Sequence, residues 1–178
     1  LGVNPEPFSH SAGIGLGSNL GRSKKLLQDA WQTLAGHPAI SLQVLSSPWK
    51  TKPVGMESAH WFINAVGLLT TSLGPEELLA LLLQVEQQFG RVRSIDQTEY
   101  QDRTLDLDLL FYDDLVLDTP ELVLPHPAMH ERLFVLVPLA EVAPQFYHPL
   151  QGRTVAELLA AVRLGSDRDD IEGVAWQE

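Results

Sequence analysis

The stretch Arg103–Tyr112, RTLDLDLLFY, restricts the possible fold more than any other part of the chain. Side chains of a strand alternate between its two faces, so Leu105, Leu107, Leu109 and Phe111 line one apolar face while Asp106 and Asp108 share the other. The roots of the two aspartates then stand about 6.5–7 Å apart along the strand. Carboxylates that close repel each other, and burying them unpaired is costly. A positive group is therefore expected between them, either a Lys or Arg side chain or a metal ion. Two carboxylates on one strand face can bridge magnesium ions, which take oxygen ligands and keep positions open for phosphate oxygens. The same residues also read as a polar strand face that meets solvent or an arginine.

The rest of the chain supplies partners for this strand. AGIGLGSNLG reads as a short apolar strand and a turn, and RSKKLLQDAWQTLAG as an amphipathic helix with Leu27, Ala30, Trp31 and Leu34 on one stripe. AISLQVLSSPWKT and FINAVGLLTTS are β-rich. Pro75, Glu76 and Glu77 open a second helix that Gly90 closes, with proline and acids placed as the helix dipole favours. YDDLVLDT turns back as a hairpin after the Asp-pair strand. LPHPAMHERLFVLVPLAEVAP continues as short helices, and Thr154 with Glu157 forms a capping box for one more. The order β-α-β-β-α-β, with additions, predicts an α/β (α+β) fold in one domain: a mostly antiparallel, ferredoxin-like sheet covered by helices. Residues 1–12 read as a flexible tail, and 164–178 as an acidic tail, loose at its end.

Composition narrows the partners. Among 178 residues, 23 acids against 12 Lys and Arg give a net charge of -11, which argues against nucleic acid or an anionic membrane. No apolar run reaches membrane-spanning length, and the start lacks the pattern of a signal peptide. Cysteine is absent, which removes thiolate ligands and thiol nucleophiles without fixing the compartment. A cytoplasmic monomer is expected. Within this acidic chain, Arg91, Arg93 and Arg103 gather just before the Asp pair, which fits a hold on a small, multiply charged anion or a solvated loop with ordinary surface charges, the reading that composition alone favours.

Three further groups carry chemistry, each beside a plainer reading. GLGSNLG could bring backbone amides to an anion at a helix start, but it lacks the lysine and threonine of a P-loop. A tight strand-to-helix turn, with Ser18 or Asn19 bonded locally, fits it better. His126, bracketed by prolines, could donate to a phosphate oxygen, and Arg132 could reach the same anion. Phe62, Asn64 and Phe134, taken singly, read as core.

Together, GLGSNLG, FINAV, EQQFGRVR, RTLDLDLLFY and LPHPAMHERLFVLVPLAEVAP resemble, in order, the motifs of the 6-hydroxymethyl-7,8-dihydropterin pyrophosphokinase family of folate biosynthesis. The resemblance covers about residues 13 to 162, within a pyrophosphokinase domain taken as 13–163. It implies transfer of the β,γ-pyrophosphoryl group of ATP to the pterin hydroxymethyl oxygen, with release of AMP. By position it implies Asp106 and Asp108 as ligands of two magnesium ions, with Arg91 and Arg103 beside them as catalytic groups. Glu86, Arg91, Arg93, Arg103, His126 and Arg132 match positions that contact ATP, and Leu109 matches a main-chain contact to adenine. Thr51 and Val54 match main-chain contacts to the pterin, Asn64 a reader of its edge, and Phe62 and Phe134 the two rings that sandwich it. Tyr100 is expected against the pterin when its loop closes.

The loop between Arg93 and Arg103 departs from the family, being about two residues longer than is common and carrying the acids Glu99 and Asp102. Glu121 likewise replaces a residue that is basic in some relatives. Two other functions fit the bare pattern: a two-metal nucleotidyl transferase of palm or cyclase type, releasing pyrophosphate, and a non-catalytic small-molecule-sensing domain.

Overall fold

The computed structural model describes residues 8–20, 22–53, 60–90, 105–165 and 171–177. Strand β1 (His10–Ser18) leads through helix α1 (Ser23–Ala35) to β2 (Ile40–Leu45) and β3 (Trp49–Thr51). Then come β4 (Phe62–Thr71), α2 (Pro75–Gln88) and β5 (Asp106–Tyr112). A small hairpin of β6 (Leu117–Asp118) and β7 (Val123–Leu124) precedes α3 (Leu133–Val142). The chain continues with β8 (Tyr147–His148), β9 (Arg153–Thr154), α4 (Val155–Arg163) and β10 (Ile171–Gly173).

The main sheet has six strands in the order β10-β3-β4-β1-β5, with β2 also paired to β4. Every pairing in it is antiparallel. Counting β2 and β3 as one interrupted strand, this is the ferredoxin-like arrangement that the element order predicts. The helices form where caps and periodicity ask for them. Glu77 accepts the Gly74 N–H at 2.8 Å to open α2, and Thr154 and Glu157 exchange backbone bonds to open α4.

Two apolar layers sandwich the sheet. On one side Leu27, Ala30, Trp31 and Leu34 of α1 and Leu78, Leu82 and Val85 of α2 pack against β1, β4 and β5. Trp31 lies directly over Gly67 of β4, where a Cβ would overlap its indole ring. On the other side α3 and α4 cover Val66, Leu110 and Phe111.

Four sequence expectations are corrected. Phe111 does not share the face of Leu105, Leu107 and Leu109. Gly13 pairs with Phe111 and Ile14 with Leu109, so Leu110 is an extra residue in β5, a bulge that reverses the alternation. Phe111 therefore packs under α3 and α4, its ring over Gly13 and stacked on Phe146 at 3.8 Å. Gly15 and Gly17 lie inside β1, not in a turn, although Ser18 does bond locally to Leu20 O and Ser23. The hairpin after β5 is made by β6 with β7 rather than with β5. Finally, parts of both supposed tails join the sheet: His10 and Ser11 open β1, and Ile171–Gly173 pair with Thr51–Trp49 of β3. Trp176 closes this C-terminal strap, its Nε1 donating to Ser46 O at 3.0 Å and its ring packing on the α1 side.

Candidate active site

The site starts from the alternation in β5. Leu105, Leu107 and Leu109 are buried under α1 and α2, which turns Asp106 and Asp108 to the opposite face, where both stand half-buried. On β4 the same rule puts Ile63 and Ala65 in the α1 layer and leaves Phe62 and Asn64 on the face of Asp106. On β3, Thr51 pairs with Phe62, and Trp49, two residues before, belongs to the α3 layer, so Thr51 faces the same way.

Register then aligns these residues. Gly17 of β1 pairs with Asp106 on one side and with Asn64 on the other. Asp106, Gly17 and Asn64 thus form a row across three strands, with the outer two about 9.5 Å apart from the strand spacing. The glycine leaves the strip between carboxylate and carboxamide without a side chain. Beside it, Asp108 pairs with Gly15. The single sequence cue to this floor was the repeat in AGIGLG, three glycines at the two-residue period of a strand face.

His126 is delivered by the bulge: its N–H donates to Leu110 O at 2.8 Å. Its Nδ1 accepts from the Ala128 N–H at 3.2 Å, so the ring proton belongs on Nε2. Burial lowers its pKa below 6.5; the Arg132 guanidinium lowers it further, against an opposing pull from Asp106. His126 is therefore neutral near pH 7, and Arg132 and Asp106 both lie near enough to act on it. Arg132 also lies over the Phe134 ring, 5.5 Å from its centroid. Phe134 is half-buried near the start of α3, which packs across β4.

Two expected contacts take an unforeseen form. Glu86 is 1 % exposed, and its Oε1 accepts the Leu107 N–H at 2.8 Å, so it anchors the outer edge of β5 between the aspartates. Leu109 has its side chain in the core, which leaves only its main chain for a ligand. Thr51, 4 % exposed, adds a side-chain bond: Asn64 Nδ2 donates to its Oγ1 at 2.7 Å. Val54, Arg91, Arg93, Tyr100 and Arg103 lie outside the described residues, as do Glu99 and Asp102.

Oxygen is the donor chemistry that Asp106 and Asp108 offer. Among the described residues no cluster of three or more His, Cys, Asp or Glu could hold a metal ion alone. Two carboxylates fit magnesium, which keeps several waters or substrate oxygens in its shell.

Comparison with solved structures sets the class. An HPPK-DHPS crystallised in complex with substrates matches 93% of this chain with a TM-score of 0.73 at 11% identity. The wild-type Plasmodium falciparum HPPK-DHPS matches 92% with a TM-score of 0.71 at 12% identity. The fold is thus that of these α+β domains, and the chain spans 46% and 44% of those two longer chains. The chain belongs to the 7,8-dihydro-6-hydroxymethylpterin-pyrophosphokinase (HPPK) family, whose model matches residues 13–144. It is 42% identical over 163 residues to the 2-amino-4-hydroxy-6-hydroxymethyldihydropteridine pyrophosphokinase of Synechocystis sp., covering 90% of this chain and 82% of that one. The Bacillus subtilis enzyme of the same name is 42% identical over 138 residues, 78% of this chain and 81% of the relative.

Proposed function

We propose that the sheet face carrying Thr51, Phe62, Asn64, Asp106 and Asp108 is where this pyrophosphokinase joins its two substrates. As a member of its family the chain transfers a pyrophosphoryl group from ATP to 6-hydroxymethyl-7,8-dihydropterin in folate biosynthesis. Family membership disfavours a nucleotidyl transferase or a sensing domain. The observation that carries the site reading is the row Asp106–Gly17–Asn64. A carboxylate suited to metal and phosphate stands across a bare glycine from a carboxamide suited to a heterocycle edge, about 9.5 Å apart by strand spacing.

In this reading Asp106 and Asp108 hold two magnesium ions, which would neutralise phosphate charge and align the attacking and leaving oxygens. His126 donates from Nε2 to a phosphate oxygen, and Arg132 adds a positive charge beside it. Arg91, Arg93 and Arg103 are taken as further phosphate contacts. Leu109 lies two residues beyond Leu107, whose N–H points to the outer edge of β5, so its main chain is available to adenine on that edge. Phe62 and Phe134 stack on the pterin, Asn64 reads its edge, and Thr51 and Val54 meet it through the main chain, with Tyr100 closing over it. Held in line, the hydroxymethyl oxygen attacks the β-phosphorus of ATP. AMP leaves and the oxygen gives up its proton.

The domain is taken as residues 13–163 together with the flanking segments that join its sheet, 10–12 and 171–176, acting as a cytoplasmic monomer. Among the described residues no helix is long and apolar enough to cross a membrane. The decisive experiment is product analysis with ATP, magnesium and the hydroxymethyl dihydropterin. AMP and pterin diphosphate in equal amounts, with no turnover when magnesium is chelated, are expected. ADP or free pyrophosphate as the stoichiometric product would overturn the reading.

A further inference from the structure

Helix α3 is pinned at its far end by one carboxylate. Glu141 Oε1 accepts the Ser47 N–H at 2.9 Å and the Ser47 hydroxyl at 2.7 Å, and Oε2 accepts the indole N–H of Trp49 at 3.3 Å. The connection between β2 and β3 that it grips is itself closely bonded. Ser46 N–H donates to Val66 O, Ser46 Oγ accepts the Val66 N–H, and Pro48 O accepts from Val174 of the strap. Glu141 thus joins the helix to a firm part of the sheet.

Phe134 and Glu141 lie seven positions apart in α3. That is within about 20° of two full turns, so they share one helix face about 10.5 Å apart. Val137 and Pro138 are buried between them, and the helix runs unbroken through Pro138, so a shift at one end is passed to the other. On the sheet, Trp49 pairs with Asn64, and Thr51 with Phe62 one step further along the same face. The pin therefore holds the row next to the one that bears Phe62.

We infer that Glu141 is a positioning residue: by tying α3 to Ser47 and Trp49 it sets the gap between the Phe134 ring on the helix and the Phe62 ring on the sheet. This rests on the placement of the pterin between those rings given above. A flat ring stacked on both sides needs about 7–8 Å between them, two van der Waals contacts, and a slack of about 0.5–1 Å forfeits a quarter to a half of each contact's attraction. The hold of charged groups on phosphates falls off slowly with distance, so the same slack hardly changes it. The effect of Glu141 is accordingly selective for the pterin.

The test titrates 6-hydroxymethyl-7,8-dihydropterin calorimetrically into protein saturated with magnesium and a non-hydrolysable ATP analogue, and the analogue with magnesium separately. Glu141 and Ser47 are exposed, so water can replace the carboxylate and the variants should fold. Glu141→Ala is expected to weaken pterin binding about tenfold, the scale of a lost hydrogen bond to a charged group, with the ATP analogue within about twofold. In turnover the defect should appear in the KM for pterin, with kcat kept. Glu141→Gln keeps the reach and an acceptor for Ser47, and should lose only about threefold through Trp49. Glu141→Asp keeps the charge but is one methylene shorter, and should fall about as far as Ala. Pterin affinity higher in Asp than in Gln would show that charge and not reach matters, and overturns the inference; this comparison stands even if Glu141→Ala does not fold. Equal loss of both ligands, or pterin loss that follows the melting temperature across the variants, overturns it in favour of a structural role. Unchanged pterin binding in Glu141→Ala, with Phe134→Ala defective, overturns the inference alone. Normal pterin binding in Phe134→Ala overturns the placement of the pterin, and the inference with it.

Discussion

Glu86 Oε1 accepts the Leu107 N–H at 2.8 Å, so a helix side chain grips the outer edge of β5 midway between Asp106 and Asp108. Glu86→Ala leaves that amide without its partner and opens a void in a site only 1 % exposed. A loss of about 2–4 kcal/mol in urea unfolding is expected. Glu86→Gln keeps an acceptor oxygen and should cost about 1 kcal/mol or less. Both variants should lose turnover in the order of their stability loss, because the grip fixes the strand that carries the aspartates. A raised KM for ATP in a fully stable Glu86→Gln would instead report the contact with ATP that the sequence suggests.

Asp106→Asn and Asp108→Asn should each reduce turnover by several orders of magnitude, since each removes a charge proposed to hold magnesium. The fold should survive, because both side chains stand at the half-buried rim of the sheet. Stability without ligand should be unchanged or higher, as one of two neighbouring like charges is gone. Paired melts and single-turnover assays at sub-saturating magnesium check this; near-normal activity in either variant would contradict the assignment.

Two histidines make stability fall toward acid. Burial lowers the pKa of His148 below 6.5, and the neighbouring His130 lowers it further; His126 is lowered chiefly by burial and then by Arg132. For a base depressed on folding, the unfolded chain binds the proton more tightly, so stability rises with pH through the window between the two pKa values. The contribution is complete above 6.5 and is lost as pH falls from there through the lowered values. His148 Nδ1 accepts the N–H groups of Leu150 and Gln151 at 3.2 Å, bonds that protonation there would break. Denaturant melts from pH 7.5 to 5 should show the decline. His148→Asn, whose side-chain oxygen can stand in for Nδ1, should flatten part of it.

Gly67→Ala tests the packing under the sheet. Its methyl would overlap the indole of Trp31, which is 4 % exposed and pinned between α1 and β4. A cost of about 2 kcal/mol is expected, because a rigid ring in a filled layer has nowhere to turn. Thermal unfolding measures it, with the pterin affinity of the folded fraction left near wild type.

Much of this arrangement could be read from residue order alone, because it depends on local periodicity. The stripe on α1, the capped starts of α2 and α4 and the alternation before Leu110 each follow from neighbours a few positions apart. The exceptions need a partner strand. Leu110 is a bulge only because Gly13 and Ile14 set the opposing register, and Phe111 changes face for that reason. Gly15 and Gly17 suggest a turn until β4 and β5 are known to flank them. Ile171 and Trp176 are hidden among acids and glycines, and nothing near them in sequence reveals that β3 is their destination. In the candidate site, the aspartates, His126 and Arg132 were legible as residue types with suitable chemistry, whereas Asn64 taken singly reads as core and enters only through the family resemblance. The side-chain role of Thr51, the floor at Gly17 and the grip of Glu86 on β5 depend on contacts between distant segments.

The C-terminal strap has a kinetic consequence. Trp176 and Ser46 are 130 residues apart in the chain, yet their bond and the pairing of β10 with β3 cover the outer edge of the strand bearing Thr51. During synthesis that edge waits while β1, β4 and β5 can assemble, since Ile171–Gly173 are made after every other strand of the sheet. Until the strap docks, β3 presents unpaired backbone groups of the kind that recruit strands from other chains. The wall proposed to hold the pterin is then also the last part of the sheet to be covered, and both apolar layers wait with it, one for Ile171 and the other for Trp176.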